Sequence, residues 1–154
     1  MSTQIIETWQ IHNRINLYLL ESIEKDLHLL NTSLSKGRTI GEQFAHMHNV
    51  RLMWLKEAAP ALLHTVSKIE KEQAKTKKNI KEGLIQSGKA LEQLLENGFL
   101  ENRIKGFKPH PMGFFGYLIS HESHNRGQIV LSLKQSGHPV DKKTGFGLWQ
   151  WGTR

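Results

Sequence analysis

Apolar residues recur every three or four positions in four segments of the chain, which is the spacing of one face of an α-helix. No segment alternates apolar and polar residues as a half-buried strand does. The predicted helices cover roughly residues 3–30, from 40 to shortly before Pro60, 77–97 and 111–136. One domain over residues 1–154, folded as an all-α four-helix bundle, is the simplest arrangement that buries four such faces.

Capping residues mark several of the predicted helix ends. Thr39 and Glu42 form a T-x-x-E capping box, so the second helix should begin at Ile40. Gly98 and Gly137 stand where the third and fourth helices should end, and glycine is the usual residue just beyond a helix.

Residues 138–154 form a C-terminal tail after the fourth predicted helix. Trp149 and Trp151 in this tail carry large apolar rings, whose burial is favourable. We therefore expect the tail to pack back on the bundle through both tryptophans.

The composition narrows the classes of function. The 154 residues carry a net charge of +7 and include no cysteine, which excludes a disulfide framework and a thiolate nucleophile. No apolar stretch is long enough for a membrane helix and the N-terminus lacks the features of a secretory signal, so a cytoplasmic protein with no membrane partner is expected. The lysine-rich stretch 68–81 contains no aromatic residue, so no nucleic-acid partner is expected.

The candidate chemistry lies in the nine histidines. In the fourth helix, a helical wheel at about 100° per residue places His121 within the buried stripe and His124 at its rim. The stripe is formed by Leu118, Glu122, Asn125, Ile129 and Leu133. His121 and Asn125 are one helical turn apart and point the same way, as two ligands of one ion would.

Two histidines of the second helix, His46 and His48, flank its apolar stripe on opposite sides, because two residues turn a helix by roughly 200°. They cannot both reach one site inside the bundle, and the spacing alone does not choose between them. His48 is predicted to lie at the rim or in solvent. In the first helix, His12 shares the inner stripe with Trp9 and is expected to be buried and hydrogen-bonded.

The segment TIGEQFAHMHNVRLMWL, together with HESHNRGQIVLSLKQSG in the fourth predicted helix, resembles the DinB/YfiT-like proteins of bacteria. The strongest part of the resemblance is the fourth-helix pattern of His, three residues, His, then Arg-Gly-Gln or similar. The resemblance covers most of the chain, including the tryptophan-bearing tail. It implies a four-helix bundle, commonly dimeric, with a three-histidine site for a divalent metal, which is nickel or zinc in different members.

This resemblance implies that His46 is the second-helix ligand, because it stands seven residues after the capping Thr39 as the family histidine does, and that His121 is the first ligand of the fourth helix. The third ligand position is Asn125, whose amide oxygen is a poorer ligand for zinc than an imidazole nitrogen. Three outcomes stay open: Asn125 ligates weakly, His124 moves in from the rim, or the site has lost its metal. The helical wheel favours the first or the third.

The resemblance further implies an enzyme in which a low-molecular-weight thiol attacks a small electrophile, or hydrolase-type chemistry, at a zinc or nickel ion. Glu122 or His124 would move protons. For Glu122 the alternatives are an acceptor for an imidazole N–H and an ion pair with Arg126, four residues on. A metal-free bundle with an interaction or structural role is the alternative function. The partners expected are small molecules and, in a homodimer, a second copy of the chain.

Overall fold

A computed structural model describes residues 2–154, and every regular element among them is helical. Four long helices are followed by one short helix: α1 (Ser2–Ser22), α2 (Ile40–Ala58), α3 (Lys77–Glu101), α4 (Pro111–Gln135) and α5 (Lys142–Gly147). Short 3-10 helices lie at Asp26–Leu30, Pro60–Leu63, Gln73–Lys75 and Trp151–Thr153. None of the helices in residues 2–154 has the length and apolar character needed to cross a bilayer. The all-α prediction is confirmed.

The capping residues act at two of the predicted ends. The Thr39 hydroxyl accepts a hydrogen bond from the backbone N–H of Glu42 at 3.1 Å, and the Glu42 carboxylate accepts one from the N–H of Thr39 at 3.4 Å. This reciprocal pair starts α2 at Ile40, as predicted. Helix α4 ends at Gln135, and Gly137 follows in the left-handed region with a φ of +87°, where glycine has no steric penalty.

Two other predicted ends are wrong. Helix α1 ends at Ser22 rather than near residue 30, because Lys25 is extended and Leu27 is 68% exposed, so the chain beyond Ser22 has no continuous apolar face to bury. Helix α3 continues through Gly98 to Glu101. Gly98 does not end the helix. It lets the Ile104 side chain pack closely against α3, since a Cβ at position 98 would lie 2.2 Å from that side chain.

The four long helices pack around two apolar clusters, one containing Trp9, Leu91 and Phe114 and the other containing Phe44 and Ile129. Helix α3 lies beside both α1 and α2, and α2 lies against α4. Burial of these side chains supplies the main driving force for folding.

Helices α2 and α4 are antiparallel. Gln43 near the start of α2 hydrogen-bonds Ser132 near the end of α4, whereas Trp54 near the end of α2 hydrogen-bonds Tyr117 near the start of α4. The middle of α2 therefore faces the middle of α4, and these are the two stretches that carry the predicted metal ligands.

The C-terminal tail returns to α1, although the predicted anchors differ from those in the structure. The Arg154 guanidinium lies 3.8 Å from the ring centre of Tyr18, and the Arg154 carbonyl accepts a hydrogen bond from Arg14. Trp151 is half-buried, but Trp149 is 81% exposed. The prediction that both tryptophans fold back is thus wrong for Trp149, because contacts of Tyr18 with Arg154 and Gly147 anchor the tail to α1.

Candidate functional site

His46 of α2 and His121 of α4 meet across the interface of the two antiparallel helices. Their ring centres lie 5.3 Å apart, with the ring planes at 60° to each other. Both side chains are half-buried, so each imidazole is accessible from one side. The structure therefore brings together the two histidines that the family resemblance indicated.

Asn125, the third predicted ligand, lies beside this pair and is 4% exposed. Its amide nitrogen donates a hydrogen bond to the backbone carbonyl of His121 at 2.9 Å and lies 3.5 Å from Nε2 of the same residue. The amide group of Asn125 that lies nearest the His121 ring is thus its NH₂ group, a donor and not a metal ligand.

The two imidazoles are neutral at pH 7. Burial lowers the pKa of His46, with the nearby Arg38 guanidinium and His121 acting in the same direction. Burial also lowers the pKa of His121, against a smaller opposing effect of Glu122, while His124 and Arg38 lower it further. Both rings accordingly keep an unprotonated nitrogen that can accept a proton or bind an ion.

Aromatic side chains form one wall of the site. Tyr117, one turn before His121, stacks on the His121 ring with centres 6.0 Å apart and planes at 17°. Trp54 donates a hydrogen bond to the Tyr117 hydroxyl at 3.3 Å. These half-buried rings give the candidate site an apolar side next to the two imidazoles.

His124 lies away from the pair: the helical wheel predicts it at the rim of the buried stripe, and in the structure its side chain is exposed. Its Nε2 is 3.0 Å from the amide nitrogen of Gln128, one turn further along α4. The structure thus holds His124 outside the interface of α2 and α4, and the His46–His121 pair does not include it.

Glu122 is buried in the interior and is held by side chains from α1 and α2. One carboxylate oxygen accepts hydrogen bonds from Arg51 Nη2 at 2.6 Å and Asn16 Nδ2 at 2.8 Å, and the other accepts one from Arg51 Nε at 2.9 Å. Burial alone would raise the pKa of Glu122, but the charge and hydrogen bonds of Arg51, followed by the hydrogen bond from His12, hold it well below its usual range. Glu122 is consequently a permanent carboxylate. Its ion-pair partner is Arg51, and Arg126 makes no salt bridge with it.

His12 is buried and hydrogen-bonded, as predicted. Its Nε2 lies 3.2 Å from a Glu122 oxygen, while its Nδ1 lies 3.2 Å from Arg126 Nη1, a group that can only donate. Burial lowers the pKa of His12 more than Glu122 raises it. His12 is therefore a neutral ring that donates through Nε2 to Glu122 and accepts through Nδ1 from Arg126.

The prediction for His48 is wrong: the side chain is fully buried on the α3 side of α2. Its Nε2 donates to the Ser67 carbonyl at 2.7 Å, and its Nδ1 lies 3.0 Å from the Ser87 hydroxyl, which also accepts from Arg51. Burial lowers the pKa of His48, so the ring is neutral. The ring can be buried because Ser67 and Ser87 provide the hydrogen bonds that water would make to an exposed histidine.

Sequence reasoning missed Arg51, Arg38 and Tyr117. Arg51 lies four residues after the buried Met47, which is a signal for an inward position on α2, although the pattern does not identify a partner for its charge. Arg38 directly precedes the cap of α2, and Tyr117 lies one turn before His121. Within residues 2–154, no three His, Cys, Asp or Glu side chains converge in a way that could hold a metal ion.

A family model described as the DinB family matches residues 1–151 of the 154-residue chain. Comparison with curated proteins gave no match, and neither did comparison with solved structures. The family match spans α2, α4 and most of the tail, which confirms the resemblance carried by the two motifs. The chain therefore belongs to the DinB family.

Proposed function

We propose that this protein is a small-molecule enzyme whose reactive centre is the His46–His121 pair, with Zn²⁺ or Ni²⁺ as its cofactor. The observation that carries the proposal is the convergence of two neutral imidazoles at 5.3 Å. An ion with metal–nitrogen distances of about 2.1 Å and tetrahedral angles sets the centres of two imidazole ligands about 5 Å apart, so the pair fits such an ion.

Asn125 does not fit as a third ligand of the ion. Its amide nitrogen lies 3.5 Å from His121 Nε2 and donates a hydrogen bond to the His121 backbone carbonyl. His46 and His121 would then hold the ion alone. Two imidazoles bind a borderline divalent ion less tightly than three, and they leave more coordination positions open. We therefore expect an affinity below that of a three-histidine site.

When bound, a divalent ion would lower the pKa of a thiol or water at an open position and so favour attack on a small electrophile. Side chains of the protein would bind the substrate, exchange protons and position α4. Tyr117 would hold an apolar part of the substrate against the aromatic wall, and the exposed His124 would exchange protons with solvent. Glu122, whose oxygens are occupied by donors, would act by positioning α4 through Arg51.

We further propose that the four long helices form a bundle of the family's type, with the C-terminal tail as an added layer on α1. The antiparallel pairing of α2 and α4 and the contacts of Tyr18 with Arg154 and Gly147 support it. In this arrangement the reactive pair lies between two facing helices of the bundle, which is where such folds usually build metal sites.

The test is calorimetric titration of chelator-treated full-length protein with Zn²⁺ and with Ni²⁺. The wild type is expected to bind one ion weakly, His121→Ala to bind none, and Asn125→His to bind about tenfold tighter or more because it adds a third imidazole. His124→Ala is the matched control, since it removes an imidazole from the same helix outside the pair. Loss of binding in the control equal to that in His121→Ala would refute the assignment.

Activity is tested separately by mixing the protein with a low-molecular-weight thiol and a chromogenic aryl halide. Turnover that depends on added metal and is abolished by His46→Ala and His121→Ala supports the thiol-transfer form of the proposal. Metal-dependent turnover of an activated ester without thiol transfer would favour the hydrolase form.

A second candidate is a metal-free protein with a binding role, and the N–H that Asn125 presents to His121 favours it. The positive charge of Arg38 beside both imidazoles acts against a bound cation as well. In the same titration this candidate is supported if only Asn125→His binds metal. If neither the wild type nor Asn125→His binds, the two helices do not present the imidazole pair as described.

A further inference from the structure

We infer that the cavity between the loop before α2 and the last turns of α4 binds the oxyanion group, a carboxylate or phosphate, of a small-molecule substrate. The cavity has a volume of about 270 Å³. Its polar lining comes mainly from Ser33, Ser35, Lys36, Arg38, Gln43 and Gln128. The assignment of this anion to the substrate rests on the proposed function, whereas anion binding itself does not.

Two cations and no carboxylate line the cavity. Within residues 2–154, neither Lys36 nor Arg38 makes a salt bridge with Asp or Glu. A guanidinium and an ammonium that line one cavity attract an oxyanion, and arginine can bind a carboxylate or phosphate through two parallel hydrogen bonds. The charge of the cavity therefore selects for an anionic ligand.

The loop that supplies these cations has a defined shape. The hydroxyls of Ser33 and Ser35 lie 2.8 Å apart, and the Lys36 N–H donates to the Ser33 carbonyl at 3.0 Å. Lys36 and Gly37 both adopt left-handed φ values, +64° and +92°, which turn the chain toward the start of α2. Because the loop already has a defined shape, binding a ligand costs less conformational entropy than it would in an unstructured loop, and the affinity is higher.

Gln43 adds a buried acceptor that lacks a partner. Its side chain is 7% exposed, and its amide nitrogen donates to the Ser132 hydroxyl at 3.1 Å and to the Arg38 carbonyl at 3.4 Å. Its amide oxygen has no hydrogen-bond partner among the described residues. Buried polar atoms are nearly always paired, so this oxygen indicates a ligand that carries a hydroxyl, amine or thiol donor next to its anion.

The cavity adjoins the imidazole pair. Gln43 lies one turn before His46 on α2, and Gln128 lies one turn after Asn125 on α4. A substrate held here by its oxyanion would extend along α2 and α4 toward His46 and His121.

The test is an NMR titration of the chelator-treated, ¹⁵N-labelled full chain with inorganic phosphate, propionate and lactate. Saturable shifts are expected at the backbone amides of Arg38, Gln43 and Gln128. Lactate should bind more tightly than propionate, because its hydroxyl can donate to the Gln43 oxygen. In Gln43→Met this preference should disappear while propionate binding is retained.

Two double variants separate a built site from the general positive charge of the protein. Lys36→Gln/Arg38→Gln should weaken binding about tenfold or more, the loss expected from one or two charge-assisted hydrogen bonds. Lys89→Gln/Arg103→Gln removes the same two charges from exposed residues outside the cavity, and it should leave the dissociation constant unchanged within about twofold.

The inference is overturned if none of the three anions gives saturable shifts, or if the two double variants weaken binding equally. Equal affinity for lactate and propionate in the wild type would overturn the role of Gln43. Because these titrations use metal-free protein, failure of the metal proposal leaves their result interpretable, and failure of anion binding leaves the metal titration unaffected.

Discussion

Replacing Glu122 by Gln removes the negative charge that balances Arg51 while nearly preserving the size of the side chain. Both groups are buried, with side-chain exposures of 2% and 0%. The new amide must also turn its NH₂ group toward a donor, because Arg51 contacts both carboxylate oxygens, through Nε at 2.9 Å and through Nη2 at 2.6 Å. The variant thus leaves a buried cation without its counter-charge and sets donor against donor.

The expected loss of stability follows from these contacts. Breaking a buried ion pair by removing one partner costs about 3–5 kcal/mol. Arg51 keeps its bonds to the Leu84 carbonyl, the Ser87 hydroxyl and Asn13 Oδ1, at 3.1, 3.1 and 2.8 Å, which places the loss at the lower end of that range. At roughly 3 °C per kcal/mol for a domain of this size, the melting temperature should fall by about 10 °C.

The assay is urea unfolding followed by circular dichroism and by tryptophan fluorescence, since the Arg51 guanidinium lies 4.9 Å from the ring centre of buried Trp9. Glu101→Gln, at an exposed position, is the control and should leave the unfolding free energy within about 0.5 kcal/mol of the wild type. The apolar pair Arg51→Met/Glu122→Leu removes the unpaired charge but leaves buried His12 and Asn16 without their acceptor, so it should recover at most part of the loss. A free energy for Glu122→Gln equal to that of the control would refute the view that this ion pair holds α2 and α4 together.

Two further predictions concern packing and pH. Gly41→Ala should lower the unfolding free energy by about 1–3 kcal/mol, because the added Cβ would lie 2.0 Å from the Ala74 carbonyl oxygen; Gly116→Ala, where a Cβ meets nothing within 4 Å, should be neutral or stabilising in the same urea experiment. The pKa values of folded His12 and His48 lie below the ordinary 6.5, so the unfolded chain binds more protons as the pH falls through 6.5. The unfolding free energy should therefore decrease from pH 7.5 to pH 5.5, and a flat profile in urea titrations over that interval would contradict the neutral buried histidines.

Local signals in the sequence were sufficient to predict helix starts and buried faces, because each of these features lies within one helix. The capping box at Thr39 fixes the start of α2, and the wheel of α4 places Glu122 and Asn125 inward, as the structure does, and His124 at the rim, where the structure exposes it. Helical spacing carries this information because both the cap and the buried face are properties of residues three or four positions apart.

Features that depend on another part of the chain were not predictable in this way. Gly98 has the sequence signature of a helix end, but α3 continues through it to Glu101. The glycine instead makes room for the Ile104 side chain, which comes from the loop after the helix. Arg126 is the local candidate to pair with Glu122, yet the actual partner, Arg51, comes from α2. Long-range pairing is set by how helices cross, which periodicity does not encode.

The positions of the ion pair and of the imidazole pair on α2 and α4 have a consequence for how this scaffold tolerates change. Glu122 directly follows His121, and Arg51 lies little more than one turn beyond His46, so one pair of helices carries both features on different faces. The carboxylate–guanidinium contact links the two helices without using any atom of the imidazoles. Exchange at position 125 between an amide and an imidazole would accordingly change the groups around the imidazole pair while leaving the contact that joins α2 to α4 in place.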